Sequence, residues 1–393
     1  LYGTEAELQT LANTLNARGI VPMVDLVLNH MAGGSNAESG VGRYNYQPTA
    51  HETFEKVDPA GNNSNGYFNV ATMGEPFSYD WGHGAANETA DLNQENAYIR
   101  QGLKNWGAWV SAKVGYRAYR WDFTQGIEPW FMPEFMNYSL MKDRFSVMEY
   151  WTDSREATVR EHATWLALTD YASTSFDFPL REKLRLMCDL NGTFNMYELS
   201  RGGLVHSYPQ WACTFVDSHD TARAYGGDDQ TKVGLTKNKE MAYAYILTSE
   251  GIPCVFGHDY SEATYVDTFS PNDPIDDGWT GTNLAAQINP LIDIRRKYAG
   301  GTTTYISTMN SNDLYVAKRN GTATKPGCII VLNDNMTTTL YDTGVNTDWA
   351  STNLVDALQT NHIVSTDVGG VVQSPGLSAP PRGYRVYVRQ GDL

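Results

Sequence analysis

Four short segments of this chain each carry an apolar run that ends in ionisable residues. They are Asp25-Leu-Val-Leu-Asn-His30, Tyr116-Arg-Ala-Tyr-Arg-Trp-Asp-Phe123, Phe145-Ser-Val-Met-Glu-Tyr150 and Phe215-Val-Asp-Ser-His-Asp220. Apolar runs of this kind suit strands buried on both faces, as in a parallel sheet. In a parallel α/β barrel the C-terminal strand ends share one rim, and the chemistry sits there. Four such strands would place Asp122, Glu149 and Asp220 around one pocket. Three carboxylates so placed suit glycoside hydrolysis, which needs a proton donor and a second carboxylate across the anomeric carbon.

The chain has 393 residues, enough for a large enzyme domain and an accessory one. Its formal net charge of −16 repels phosphate backbones and anionic membranes, so neither nucleic acid nor a membrane is expected as a partner. No apolar stretch of about 18 residues offers a membrane span, and no signal peptide is present. Cys188, Cys213, Cys254 and Cys328 are widely spaced without a Cys-x-x-Cys pair, which gives no support to zinc or thioredoxin-like chemistry. Cys213 and Cys254 lie in apolar runs and read as buried small hydrophobes. No Gly-x-Gly-x-x-Gly follows a strand, which disfavours a dinucleotide enzyme. Aromatic residues make up 12% of the chain; their rings suit stacking on sugars, and ordinary core use is the alternative.

Thr4-Glu-Ala-Glu7 is a capping box, followed by apolar residues at helical spacing, with Gly19 placed to end the helix. Barrel-type strands are expected near 20–28, 116–123, 145–150, 173–178, 211–217 and 251–256. Helices are expected near 94–113, 154–169 and 237–249, the last with Ala242, Tyr245 and Ile246 on one face. A closed barrel needs eight strands, so two are expected ahead of residue 1 and the chain reads as truncated at its N-terminus. Residues 31–90 break the βα rhythm with Gly, Asn, Tyr and Ser, and read as an inserted domain. From 301 the pattern turns to short β-formers, with Asn320-Gly321 as a hairpin signal, and reads as an antiparallel β-sandwich. The expected organisation is barrel over 1–30 and 91–300, insertion over 31–90, and a β domain over 301–393.

The order and content of the four segments resemble the α-amylase family, glycoside hydrolase family 13. Gly251-Ile-Pro-Cys-Val-Phe256 extends the likeness, and Ala242-Tyr-Ala-Tyr-Ile-Leu247 looks closest to plant-like and bacterial members. The resemblance implies a (β/α)8 barrel and retaining endo-hydrolysis of α-1,4-glucosidic bonds in starch or related α-glucans. It makes Asp122 the nucleophile, Glu149 the acid/base and Asp220 the transition-state stabiliser. Arg120 lies on the same strand face as Asp122, since side chains alternate with a period of two, and Asp25 is a partner for it. Those two also read as a simple buried ion pair. Apolar and aromatic neighbours suit Glu149 to the acid role, whereas a lone strand-end Glu would read as a solvated rim residue. His30 and His219 match the family's sugar-binding histidines; a lone histidine at a strand end also reads as a structural hydrogen-bonder. Trp151 and Gln125 are expected at the substrate, Gln125 standing where many members carry lysine.

The resemblance also implies Ca2+, held by Asn29, Asp91 and the carbonyl of Gly126, with Asp80 a weaker candidate. Hard cations take such oxygen ligands; Asp91 also reads as a helix cap. The expected protein is a secreted monomer. Two other readings stand beside the hydrolase. One is an exo-acting maltooligosaccharide-forming amylase or a glucanotransferase. The other is an inactive glucan-binding or chaperone-like subunit, disfavoured because all three carboxylates are present. Arg117 and Ala118 depart from the family's usual segment before the nucleophile.

Overall fold

The computed structural model describes residues 3–32, 89–92, 94–95, 97–151, 159–222, 234–261, 283–309 and 312–393, with backbone alone for 30–32, 89–91 and 98. Nearly all of the expected insertion, Asp80 included, lies outside these residues. The chain forms two compact units, Leu1–Thr152 with Arg160–Phe176, and Asp153–Val159 with Asp177–Leu393.

In the first unit the elements run α1 (Glu5–Ala17), β1 (Met23–Leu26), β2 (His30–Ala32), β3 (Thr89–Asp91), α2 (Ala97–Lys113), β4 (Ala118–Trp121), α3 (Phe131–Met136), β5 (Phe145–Met148), α4 (Val159–Leu168) and β6 (Thr174–Phe176). The capping box forms: Thr4 Oγ1 accepts the Glu7 N–H, and the Glu7 carboxylate accepts the Thr4 N–H at 2.7 Å. Gly19 follows the last turn at φ +75°, a left-handed position that glycine adopts without strain. Ala12 packs on Val110 of α2 and on Val114 just beyond it.

Strands β1, β4, β5 and β6 pair in parallel in that order, aligning Asp25 with Arg120 and Arg120 with Val147. Tyr119 and Trp121 are fully buried, and Trp121 meets Phe135 of α3 edge-on at 5.1 Å. Alternation then sends Ala118, Arg120 and Asp122 to the other face. The ladders are a few residues shorter than the apolar runs. Asp122 and Glu149 are each the first residue beyond a ladder, where a strand end presents its side chains to a rim. Leu8, Leu11, Ile20, Val21 and Met23, on or beside α1 and β1, are exposed.

The second unit contains α5 (Phe178–Asp189), α6 (Leu204–Ser207), β7 (Ala212–Phe215), α7 (Lys239–Thr248), β8 (Ile252–Cys254), α8 (Gly257–Tyr260), α9 (Ala285–Lys297), β9 (Thr303–Tyr305), β10 (Leu314–Arg319), β11 (Cys328–Asn333), β12 (Leu340–Asp342), β13 (Asn353–Asp356), β14 (Ile363–Ser365), β15 (Leu377–Ala379) and β16 (Gly383–Arg389). Strands β7 and β8 are parallel. The β-rich end forms a six-stranded antiparallel sheet, ordered β14-β13-β16-β11-β10-β9, and a β12-β15 pair. Leu377 and Ala379 of the pair share one core with Leu314, Val316, Ile329, Val331 and Tyr387 of the sheet. Two expectations need correction. Helix α7 is buried on every side, not on one face, because it packs against α5, α9 and β11. Asn320-Gly321 opens an eight-residue connection rather than a two-residue hairpin, because the Gly321 N–H bonds to Gly300 O at 2.8 Å instead of closing the turn. The four cysteines are free thiols; Cys188, Cys213 and Cys328 are buried and Cys254 is partly so. No helix among the described residues is long and apolar enough to cross a membrane.

Asp177 ties two helices together. Its carboxylate accepts the N–H of Leu180 in α5 at 3.0 Å and those of Leu204 and Val205 in α6 at 2.9 Å each. Burial pushes its pKa up to about 6, outweighing the three amides, which favour the ionised form. The folded chain therefore holds a proton between about pH 4 and 6 that the unfolded chain has released. The stability this carries is full below about pH 4 and lost as pH rises through about 6. Asp177→Asn should flatten the fall in urea midpoint across that window; an unchanged slope would contradict this assignment.

Candidate active site

One guanidinium organises the strand ends of the first unit. Arg120 projects from β4 opposite to Tyr119 and Trp121. Its Nη1 donates to both oxygens of Asp25, within β1, at 2.8 and 2.9 Å, and to Asp122 Oδ1 at 2.6 Å. Its Nη2 pairs with Glu149 Oε1, beyond β5, at 2.8 Å. Three expected residues, Asp25, Asp122 and Glu149, thus come from three neighbouring strands to one cation. Burial works against the charge of Arg120, but Glu149, Asp25 and Asp122 more than offset it, so its pKa lies above the usual arginine value. The Arg120 and Glu149 side chains keep 13% and 11% of their surface, Asp122 24% and Asp25 52%. The inner carboxylates are therefore shielded while Asp25 faces water.

The backbone after Asp122 completes the arrangement. Phe123 adopts a left-handed conformation at φ +47°, which costs a residue with a Cβ about 1 kcal/mol or more. This bend aims the Phe123 N–H at Glu149 Oε2, 3.2 Å away. Thr124 then donates through N–H and Oγ1 to the carbonyl of Glu149, at 3.1 and 2.8 Å. Tyr150 stacks on Trp165 at 4.9 Å and meets the His162 ring edge-on at 5.2 Å. His162 is fully buried, and desolvation lowers its pKa to about 3. It is thus a neutral packing group. No periodic pattern marks this aromatic support behind Glu149.

Gln125 donates to the carbonyl of Trp151 at 2.5 Å, and its amide oxygen faces the Trp151 N–H at 3.5 Å. Two residues expected at the substrate are therefore joined to each other through side chain and backbone.

The expected calcium ligands partly converge. Asn29 is 3% exposed, and a Cβ added to Gly126 would lie 2.4 Å from its Oδ1. Only glycine fits against that amide. β2 and β3 pair antiparallel, aligning His30 with Asp91, and the Leu92 N–H bonds to Asn29 O at 2.7 Å. The side chains of His30 and Asp91 lie outside the description. The Asn29 amide oxygen is of a type that hard cations accept. Among the described residues no group of three or more His, Cys, Asp or Glu side chains forms a metal cluster.

In the second unit, β7 leads into Val216-Asp-Ser-His-Asp220. His219 Nε2 lies 3.1 Å from Asp220 Oδ2, with 62% and 35% of these side chains exposed. Behind them is a buried charged group that no local sequence pattern marks. Asp217 Oδ1 accepts from Arg181 Nη2 at 3.0 Å, and Lys239 Nζ lies 2.9 Å from its Oδ2. Lys239 also pairs with Asp259 Oδ1 at 2.7 Å, and Tyr243 donates to Asp259 Oδ2 at 2.7 Å.

The alpha amylase catalytic-domain family model matches residues 1–201, more than half of the chain. The chain belongs to the alpha-amylase family. It is 30% identical over 242 residues to an alpha-amylase of Geobacillus stearothermophilus, covering 61% of this chain and 40% of that protein. It is 25% identical over 341 residues to a glucan 1,4-alpha-maltohexaosidase of Bacillus sp. (strain 707), covering 76% of this chain and 62% of that one. The chain thus spans less than two thirds of these relatives. The crystal structure of a Geobacillus thermoleovorans alpha-amylase complexed with acarbose aligns over 99% of this chain and 81% of its own, with TM-score 0.67 and 20% identity. The fold is accordingly that of the alpha-amylases, a TIM barrel with a C-terminal β-sheet domain.

Arg120→Met should leave Asp25, Asp122 and Glu149 together without their cation, at a cost of about 3 kcal/mol near neutral pH. Arg120→Lys, which keeps the charge but not the fork, should recover only part of that loss in melting temperature. An Arg120→Met melting temperature equal to wild type would argue against the shared ion pair.

Proposed function

We propose that this chain is the catalytic part of a retaining, endo-acting hydrolase of α-1,4-glucosidic bonds in starch and related α-glucans. The observation that carries the reading is the joining of Asp122 and Glu149, at the ends of neighbouring parallel strands, to one guanidinium. Asp122 attacks the anomeric carbon while Glu149 gives its proton to the leaving glycosidic oxygen. The C–O bond to the leaving sugar breaks, and a glycosyl ester forms on Asp122. Glu149, now a carboxylate, takes a proton from water as that water attacks the same carbon. This frees Asp122 and yields a product of retained configuration. Arg120 orients the nucleophile, and one Glu149 oxygen must leave Arg120 or the Phe123 amide to reach the glycosidic oxygen. Asp220 is assigned to stabilise positive charge at the transition state. His30 and His219 bind the reacting sugar, and Trp151 and Gln125 shape the acceptor side.

Asn29, Asp91 and the Gly126 carbonyl would hold calcium. Bound there, the ion supplies an electrostatic crosslink between the β2 segment and the bend after Asp122. We assign the protein to the outside of the cell, where a polymeric substrate is available, and to action as a monomer. The name of the maltohexaosidase relative favours one alternative, exo-acting release of a single product size.

Soluble starch separates these readings. Mixed oligosaccharides released early in the α-form support the proposal, a single product size supports the exo-acting alternative, and β-form products overturn the retaining mechanism. Asp122→Asn should lower kcat by about 10⁴-fold or more while leaving the melting temperature close to wild type. Activity near wild type would exclude Asp122 as nucleophile.

Chelator should lower the melting temperature, and added Ca2+ should restore it, the rise following the logarithm of free Ca2+ above the Kd. A melt indifferent to both would remove the calcium assignment.

A further inference from the structure

The buried charge group beneath His219 and Asp220 has no part in the proposed chemistry, yet it holds the segment that carries them. Asp217, Arg181, Lys239 and Asp259 are all at least 96% buried. Two carboxylates and two cations alternate along one chain of contacts, closed by the Tyr243 hydroxyl. Burial alone would lower the Lys239 pKa, but Asp217 and Asp259 outweigh it and leave it above the ordinary value. Taking this many charges out of water costs several kcal/mol per ion before pairing. Well-packed apolar residues would often give equal or greater stability. The group is therefore poorly explained as a device for stability alone, and its directional contacts need another use.

Those contacts converge on the turn after β7. Asp217 Oδ1 accepts from Thr221 Oγ1 at 3.2 Å, and Arg181 Nε donates to Val216 O at 3.3 Å. Thr221 Oγ1 accepts the Ser218 N–H at 2.8 Å, and Ser218 Oγ accepts the N–H groups of Asp220 and Thr221 at 3.3 Å each. Asp217 and its partner Arg181 thus hold the two ends of a turn whose middle carries His219 and Asp220. Lys239 opens α7 and Asp259 lies in α8, so two helices fix the far side of Asp217.

We propose that Asp217, with Arg181, Lys239 and Asp259 behind it, is a positioning residue that sets the direction of the Asp220 carboxylate and the His219 ring. The proposal rests on the reading of Asp220 as transition-state stabiliser. It assigns Asp217 no contact with substrate.

The test uses the full chain and a soluble linear α-1,4-glucan oligosaccharide, with kcat and KM measured well below each variant's melting temperature. Asp217→Asn and Lys239→Met should lower kcat by about tenfold or more with a smaller change in KM, the signature of lost transition-state binding. Lys239→Arg, which keeps the charge, should recover most of that loss. Lowered melting temperatures with unchanged kcat and KM would make the group merely structural and overturn the proposal. If Asp217→Asn does not fold, Tyr243→Phe decides: it removes one hydroxyl and no charge, and should lower kcat about threefold. An unchanged kcat there counts against the proposal. Asp220→Asn is the reference. If it remains active, the reading of the site has failed and the proposal falls with it; if it is inactive while Asp217→Asn matches wild type, only the positioning role has failed.

Discussion

The Arg120 guanidinium is the contact on which the arrangement of the first unit's strand ends depends. It is planar, always charged and able to donate along several directions at once. Three carboxylates from three adjacent strands use those directions. Without the cation they would repel one another, and the strand ends would splay or take up protons. With it, all three are gathered about one cation. A lysine would supply the charge but not the fork, so the arrangement follows from the shape of arginine as much as from its sign.

The backbone contributes the other half of the placement. The left-handed bend at Phe123 brings an amide to Glu149, and Gly126 lets the same loop close on the Asn29 side chain. These are local departures from easy conformations. They are held by fully buried ring contacts, such as Trp121 on Phe135, on the opposite face of the same strand. In the second unit, buried ions take the corresponding role around Asp217. In both units a directional polar contact fixes a side chain that packing alone would leave free to rotate.

Much of this was legible in the sequence, for physical reasons that can be named. Strands buried on both faces write continuous apolar runs, so Asp122 and Glu149 could be read as rim residues from their position alone. The capping box at Thr4 and the left-handed Gly19 are local signals, and both forms appear as read. The pairing of Arg120 with Asp122 followed from strand periodicity. Its extension to Glu149 did not, because the register between β4 and β5 is set by non-local pairing. Helices α5 and α9 went unnamed: the Asp177-Phe-Pro179 start looks like a turn, and Pro290 interrupts the second. Both are secured by tertiary packing. Asp217 and Lys239 lie 22 residues apart, and nothing in either local pattern marks them as partners. The roles of Asp220, His219 and the calcium ligands came from family resemblance rather than from periodicity.

The central claim is that Asp122 forms the covalent bond to the sugar while Arg120 holds it. A fluorinated glycosyl fluoride that loads the enzyme quickly and hydrolyses slowly would trap that intermediate, and mass spectrometry of a digest would locate it. A glycosyl mass on the peptide that spans Asp122, absent from the Asp122→Asn variant and reduced in Arg120→Met, is the expected result. The same mass on a peptide carrying Glu149 or Asp220 instead would contradict the assignment of the nucleophile.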